Sequence, residues 1–182
     1  MKIAVAGGTG LTGGYAVEAL RAAGHEPVVL SRAAGVDVRS GDGLADALHG
    51  VDAVIDALST NDRNDARAFH VDTTRALQQA GAAAGARHLV TLSIVGIDRV
   101  SAFPYYAAKL AQEQAAKEGP LPVSIVRAAQ FHEFAAQVIS WMRKGPIALV
   151  PRMTVQTIAA RSVGAVLAEV AAGEPLDAIL DI

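Results

Sequence analysis

Short apolar runs rich in β-branched residues recur along the chain, at residues 2–6 (KIAVA), 27–31 (PVVLS), 52–57 (DAVIDA), 88–93 (HLVTLS) and 123–127 (VSIVR). Most lack a clean alternation of apolar and polar positions, which is the pattern of parallel strands covered on both faces. Between them lie longer segments with helical spacing, at 11–23, 62–84, 105–118 and 130–144, and a short one at 43–49. Ser162 is placed to cap a last helix over 163–172, with Gly173 just past its end. Residues 177–182 (DAILDI) read as a closing strand. Strand–helix alternation of this kind predicts an α/β fold built on a doubly wound parallel sheet with right-handed crossovers.

Composition narrows the picture. A chain of 182 residues, 52% hydrophobic and 19% charged, is long and apolar enough to bury one sizeable core, so a single domain is expected over 1–182. No apolar run reaches the roughly 18 to 20 residues that span a bilayer, and the opening MKIAVAG does not look like a secretory signal. Cysteine is absent, so disulfides and thiolate metal sites are excluded, in keeping with the cytoplasm. A formal charge of -2 offers no general attraction to nucleic acid or to an anionic membrane. The five histidines show no ligand spacing, so no metal is expected.

The first apolar run leads straight into GGTGLTGG. Gly8, Gly10 and Gly13 match G-x-G-x-x-G, and Gly7, Gly10 and Gly13 form a second evenly spaced set. Behind a strand and ahead of a helix, such glycines permit a tight turn, a close approach of backbone amides to a pyrophosphate, and close helix–sheet packing. The anion then rests on unpaired N–H groups at the helix N-terminus. A ribose 2′-hydroxyl calls for a carboxylate near the end of the second strand. This chain has Ser31 and Arg32 there, a hydroxyl and a guanidinium suited to a 2′-phosphate. NADP(H) is therefore expected in preference to NAD(H).

Ser93 ends the fourth run, and PYYAAKL follows with Tyr105 and Lys109 one helical turn apart. A free phenol, with a pKa of about 10, is a poor acid–base group at neutral pH. A neighbouring ammonium stabilises the phenolate and lowers that value. Tyr105 could then give a proton to a carbonyl oxygen as hydride arrives at carbon, with Ser93 holding the same oxygen. Lys109 is also placed to bind the nicotinamide ribose, and Tyr106 competes with Tyr105 for the acid role.

With GGTGLTGG, LSR, SIVGID, YYAAKLAQE and RAAQFHEF in this order, the chain resembles atypical short-chain dehydrogenases/reductases of the NmrA-like, NAD(P)H-binding type, over residues 1 to about 172. The resemblance implies a Rossmann-type fold, and Ser93, Tyr105 and Lys109 in catalytic positions. It adds Thr9, Leu11 and Thr12 to Gly7, Gly10 and Gly13 around the pyrophosphate. It brings Asp42 and the segment Ala57, Leu58, Ser59 and Thr60 to the adenine and ribose. Residues 128–182 become a small substrate-side region, with Phe131, His132, Phe134 and Trp141 near the substrate. The chain departs from the pattern at His70, where many relatives have asparagine, and at Ala128, where proline is common. Arg127 either orders the strand end or binds the cofactor. The expected activity is NADPH-dependent reduction of a small carbonyl or quinone-like compound. The alternative is a non-catalytic dinucleotide sensor, and an epimerase stands further off. A monomer or a homodimer is expected, with a small-molecule substrate and no nucleic-acid or membrane partner.

Overall fold

The computed structural model describes residues 1–100, 103–134, 139, 142–145, 147–148 and 155–182. Strands β1 (Lys2–Ala6), β2 (Glu26–Leu30), β3 (Ala53–Asp56), β4 (Leu89–Ile94) and β5 (Val123–Ala128) join the late β10 (Ile179–Asp181) in one sheet. Its order is β10-β5-β4-β3-β1-β2, and every pairing is parallel. Helices α1 (Leu11–Ala22), α2 (Leu44–Ala47), α3 (Ala66–Ala83), α4 (Pro104–Lys117) and α5 (Ala160–Ala172) flank it. This is the Rossmann-type α/β architecture.

Alternate side chains of the inner strands enter two separate cores, which explains why the strands read as unbroken apolar runs. Ile3, Val5, Ala53 and Ile55 pack with Val17 and Leu20 of α1 and with Val163 and Leu167 of α5. Ala4, Ala6, Val54 and Leu89 pack on the other face with Leu77 of α3 and Ala116 of α4. From β1 the chain moves outward to β2, then returns to place β3 on β1's other side. The reversal leaves a crevice at the carboxyl ends of β1 and β3, where open α/β sheets bind ligands.

Three expectations need correction. The helix expected over 62–84 begins only at Ala66. Thr60 Oγ1 accepts the Asp62 amide (3.1 Å) and Asp62 Oδ1 accepts the Asn64 amide (3.0 Å), local bonds that compete with helix formation. The last helix starts at Ala160 behind an extended Ala159, and the amide of Ser162 donates to Ala159 O (2.9 Å), so Ser162 lies inside the first turn and does not cap it. The segment 130–144 is not one helix. Gln130–Phe131 forms β6, paired with β9 (Thr157–Ile158), and Arg143–Lys144 forms β7, paired with β8 (Ile147–Ala148). Phe131 and Ile158 both pack on the core beside α5, which favours the extended pairing.

Candidate functional site

At the end of β1, Gly7 turns with φ +81°, a conformation that side chains with a Cβ adopt at a cost. A Cβ there would also lie 2.5 Å from Ala57 O. At Gly13 a Cβ would lie 2.2 Å from Gly7 O, so the absence of a side chain lets α1 start directly against the strand end. Gly10 accepts no such crowding: a Cβ on it would meet only Gly7 O, at 3.2 Å, and its outer side is open. The Gly10 amide donates to Gly7 O (2.9 Å) and its carbonyl accepts from Gly14 (2.8 Å), which fixes the turn.

Gly10 caps α1 in extended backbone without a side-chain hydrogen bond, and the first turn carries no acid. The opening amides of α1 therefore lack an intrahelical acceptor and face outward with the positive end of the helix dipole. Thr9, Gly10 and Leu11 are exposed, while Thr12 and Gly13 are buried behind them. Ala57 donates its amide to Ala6 O (3.0 Å), which brings Ala57, Leu58 and the exposed Ser59 alongside the glycine turn. These are the shape and donor set that a dinucleotide diphosphate needs.

The end of β2 supplies the neighbouring wall. Ser31 Oγ accepts the Ala34 amide (3.3 Å) as the chain enters a short 3-10 turn. The Arg32 side chain is exposed and has no ion pair among the described residues. Asp42 is exposed in the following loop, where its carboxylate accepts the Ser40 hydroxyl (2.7 Å).

The other half of the site is built on β4 and α4. Pro104 at the start of α4 fits the first helical turn, where a missing N–H is harmless. Tyr105 projects there, 39% exposed, with its ring 6.3 Å from that of His70 on α3. Lys109, one turn further, is buried. Its ammonium donates to Leu92 O (2.7 Å) and to Gln112 Oε1. Burial pushes its pKa down to about 8, against the opposing pull of Asp56 and Glu113. Ser93 is also buried, and its hydroxyl donates to Glu113 Oε1 (2.6 Å).

Ser93 and Lys109 thus belong to two neighbouring sets of buried hydrogen bonds, of whose other members sequence reading singled out only Arg127. Asp56, at the end of β3 and fully buried, accepts from Thr74 Oγ1 (2.6 Å), Gln112 Nε2 (2.9 Å) and the Leu58 amide (3.2 Å). Arg127 of β5 grips Glu113 with two hydrogen bonds, from Nε (2.9 Å) and Nη2 (2.8 Å). Glu113 raises the Arg127 pKa above its ordinary value, mainly through those bonds. Of the two roles left open for Arg127, ordering the strand end is the one these contacts supply. A signal existed: Glu113 continues the Tyr105–Lys109 stripe by another four residues, and Asp56 is a carboxylate inside an apolar strand.

Glu113→Ala should lower unfolding free energy by about 3–5 kcal/mol, because it leaves a mostly buried guanidinium with only the longer pair to the exposed Asp98 (3.7 Å). Urea unfolding measures this, and Glu113→Ala combined with Arg127→Met should recover most of the loss.

His70 is wholly buried, and both its ring nitrogens lack hydrogen-bond partners. Desolvation, reinforced by the Lys109 charge, pushes its pKa down to about 3. Above pH 6.5 the ring is neutral folded or unfolded. As the pH falls below 6.5 only the unfolded chain takes up the proton, so stability declines until the folded pKa is reached. Between pH 7 and pH 5, His70→Gln should therefore lose about 2 kcal/mol less stability than wild type, by urea unfolding at both values.

Of the residues expected near the substrate, Phe131 is half-buried against the core, while His132 is exposed and its amide donates to Ile158 O (3.0 Å). Trp141 lies outside the described residues. A groove of 410 Å³ sits at the opposite end of the sheet, bordered by Pro120, Val123, Asp177 and Ile179, away from the glycine turn. No group of three or more metal-ligating side chains occurs among the described residues. None of the described helices is long and apolar enough to cross a membrane.

The model of an NAD(P)H-binding family matches residues 7–174. No curated protein is similar enough to match the chain. Among solved structures, a UDP-N-acetylglucosamine 4-epimerase from Bacillus cereus is similar with TM-score 0.79 and 21% identity, over 100% of this chain and 77% of that one. A short-chain dehydrogenase/reductase superfamily protein from Agrobacterium tumefaciens with bound NAD has TM-score 0.61 and 25% identity, over 72% and 50%. The Citrobacter sp. triphenylmethane reductase complexed with NADP(H) has TM-score 0.71 and 20% identity, over 96% and 66%. With the family match spanning most of its length, the chain belongs to the NAD(P)H-binding family.

Proposed function

We propose that the protein is an NADPH-dependent reductase of a small carbonyl or quinone-like compound, with Tyr105 as its proton donor. The observation that carries this reading is the pairing on α4 of an exposed Tyr105 with a buried, depressed Lys109 one turn away. Both stand on the helix that follows the carboxyl end of β4, the same end of the parallel sheet as the glycine turn. When bound, the dihydronicotinamide supplies hydride.

The chain's own residues do the rest. Gly7, Thr9, Gly10, Leu11, Thr12 and Gly13 hold the diphosphate through backbone amides. Ser31 and Arg32 take the 2′-phosphate, while Asp42 and Ala57 to Ser59 border the adenosine half. Tyr105 donates its hydroxyl proton to the substrate oxygen. With a pKa of about 8, Lys109 is largely protonated at pH 7 and supplies the positive charge that eases that transfer. Ser93 reaches the same oxygen as a donor only when its hydroxyl turns away from Glu113, so Tyr105 makes the primary contact. Phe131, His132 and Trp141 are assigned to the substrate side.

Two measurements test the reading. NADPH oxidation across aldehydes, ketones and quinones should reveal turnover on at least one class. Arg32→Ala should weaken NADPH binding by about 10- to 100-fold, the range for losing charge-assisted hydrogen bonds. Its effect on NADH should stay within about twofold, and equal losses for both coenzymes would reject the 2′-phosphate contact.

A second reading has its own support. Ser93 and Lys109 are buried and hydrogen-bonded inside the protein, as they would be in a dinucleotide-binding sensor with no chemical step. Tight NADPH binding with no turnover on any of the three compound classes would favour it.

A further inference from the structure

We infer that the rim beside Tyr105 is a binding wall for a planar aromatic substrate, an inference that rests on the reductase reading and names its substrate class. The chain has only four phenylalanines, three tyrosines and one tryptophan. Half of these eight residues, Phe69, Phe103, Tyr105 and Tyr106, form one chain of rings together with His70.

The contacts run without a break. Phe69 meets His70 at 5.6 Å between ring centroids and 76°, and His70 meets Tyr105 at 6.3 Å and 67°. Tyr105 meets Tyr106 at 6.1 Å and 54°, and Tyr106 meets Phe103 at 5.9 Å and 71°. Three of these pairs are edge-to-face and the Tyr105–Tyr106 pair is tilted, all at distances of aromatic contact. The series begins at the half-buried Phe69, passes through the fully buried His70, and ends in solvent at Phe103, which is 63% exposed. Val100, bonded through its carbonyl to the Phe103 amide, and Tyr105 are exposed as well, so the rim is a cluster of exposed apolar side chains, the kind of surface that marks a binding site.

Chemistry selects the ligand. A carbonyl compound at the Tyr105 hydroxyl has Tyr106 and, beyond it, Phe103 as adjoining rings. The first turn of α4 brings no acid to that rim, and its nearest lysine, Lys109, is buried with its charge directed at Leu92 O and Gln112. Among the described residues the wall thus offers ring surface and two phenolic hydroxyls, those of Tyr105 and Tyr106. Such a surface suits a flat conjugated carbonyl compound better than a compound that must be held by many hydrogen bonds.

Calorimetric titration of NADP+-loaded protein with 2-naphthol and with its saturated analogue decahydro-2-naphthol tests this. Wild type should bind the flat compound about tenfold more tightly, and Phe103→Ala should erase the difference. Phe103 is exposed, so this variant should fold, with circular dichroism as the check. Equal affinities in wild type, no binding of either compound, or a preference that survives in Phe103→Ala would overturn the inference. So would sedimentation showing that Phe103→Ala converts a dimer to a monomer, because the rim would then be a subunit contact. A clear naphthol preference without NADPH oxidation by 1,4-naphthoquinone would sink the reductase reading alone. Quinone turnover without that preference would sink the aromatic wall alone.

Discussion

Tyr105→Phe should reduce turnover by about 10²- to 10⁴-fold, the range contributed by a positioned general acid, while NADPH affinity changes less than twofold. The substitution removes one oxygen from a half-open side chain and leaves the ring contacts with His70 and Tyr106 intact. A loss confined to kcat therefore reports the missing proton and not a collapsed site. Tyr106→Phe is the matched control, since Tyr106 sits in the same ring series one position along. If Tyr106→Phe abolishes turnover and Tyr105→Phe does not, the roles are exchanged. The wild-type rate should also fall as the pH rises through about 8, because Lys109 then loses the charge that assists the phenol. Steady-state kinetics with a quinone over pH 6 to 10 would show a flat or rising limb if Lys109 had no part.

Gly13→Ala should be nearly as damaging, by a different route. The new Cβ would lie 2.2 Å from Gly7 O; its position is fixed by the backbone and Gly7 O is itself backbone, so no side-chain rotation relieves the clash. Helix α1 must move off the end of β1, at a stability loss of about 1–3 kcal/mol, as for other overpacked sites. Moving the helix also displaces the amides that face the diphosphate, and NADPH binding should weaken at least about 100-fold, or by some 3 kcal/mol. Gly10→Ala separates the two effects. Its backbone is in the ordinary extended region and its Cβ would meet only Gly7 O at 3.2 Å, so the fold should lose less than about 1 kcal/mol. The added methyl stands on the open side of the turn, where the coenzyme approaches, and should cost about tenfold in affinity. Thermal unfolding with and without NADPH reads both quantities for each variant. A Gly13→Ala protein stabilised by NADPH as strongly as wild type would place the coenzyme elsewhere.

The parts of this molecule legible in sequence are those governed by local pattern. Strands buried on both faces announce themselves as short apolar runs, and the glycine spacing after β1 carries its own steric logic. Position 130 onward misled because a two-residue strand such as Gln130–Phe131 carries too few residues to show a period, and its partner Thr157–Ile158 is distant in the chain. The start of α3 misled because Thr60 and Asp62 bond to nearby amides, a local competition that apolar spacing does not register. The buried polar contacts were legible only as isolated residues, for a different reason. Asp56, Thr74, Gln112, Glu113 and Arg127 come from four separate elements, and only the packing of α3 and α4 against β3, β4 and β5 brings them together. Their presence changes how Ser93 and Lys109 are understood, as side chains held by internal partners whose chemistry depends on those partners.

Titration calorimetry of NADPH into the unmodified protein tests the central claim most directly. Amides exposed by the turn at Gly7 to Gly13 should give a saturable, one-to-one heat of binding, stronger for NADPH than for NADH. A folded protein that shows no saturable heat with either coenzyme would contradict it.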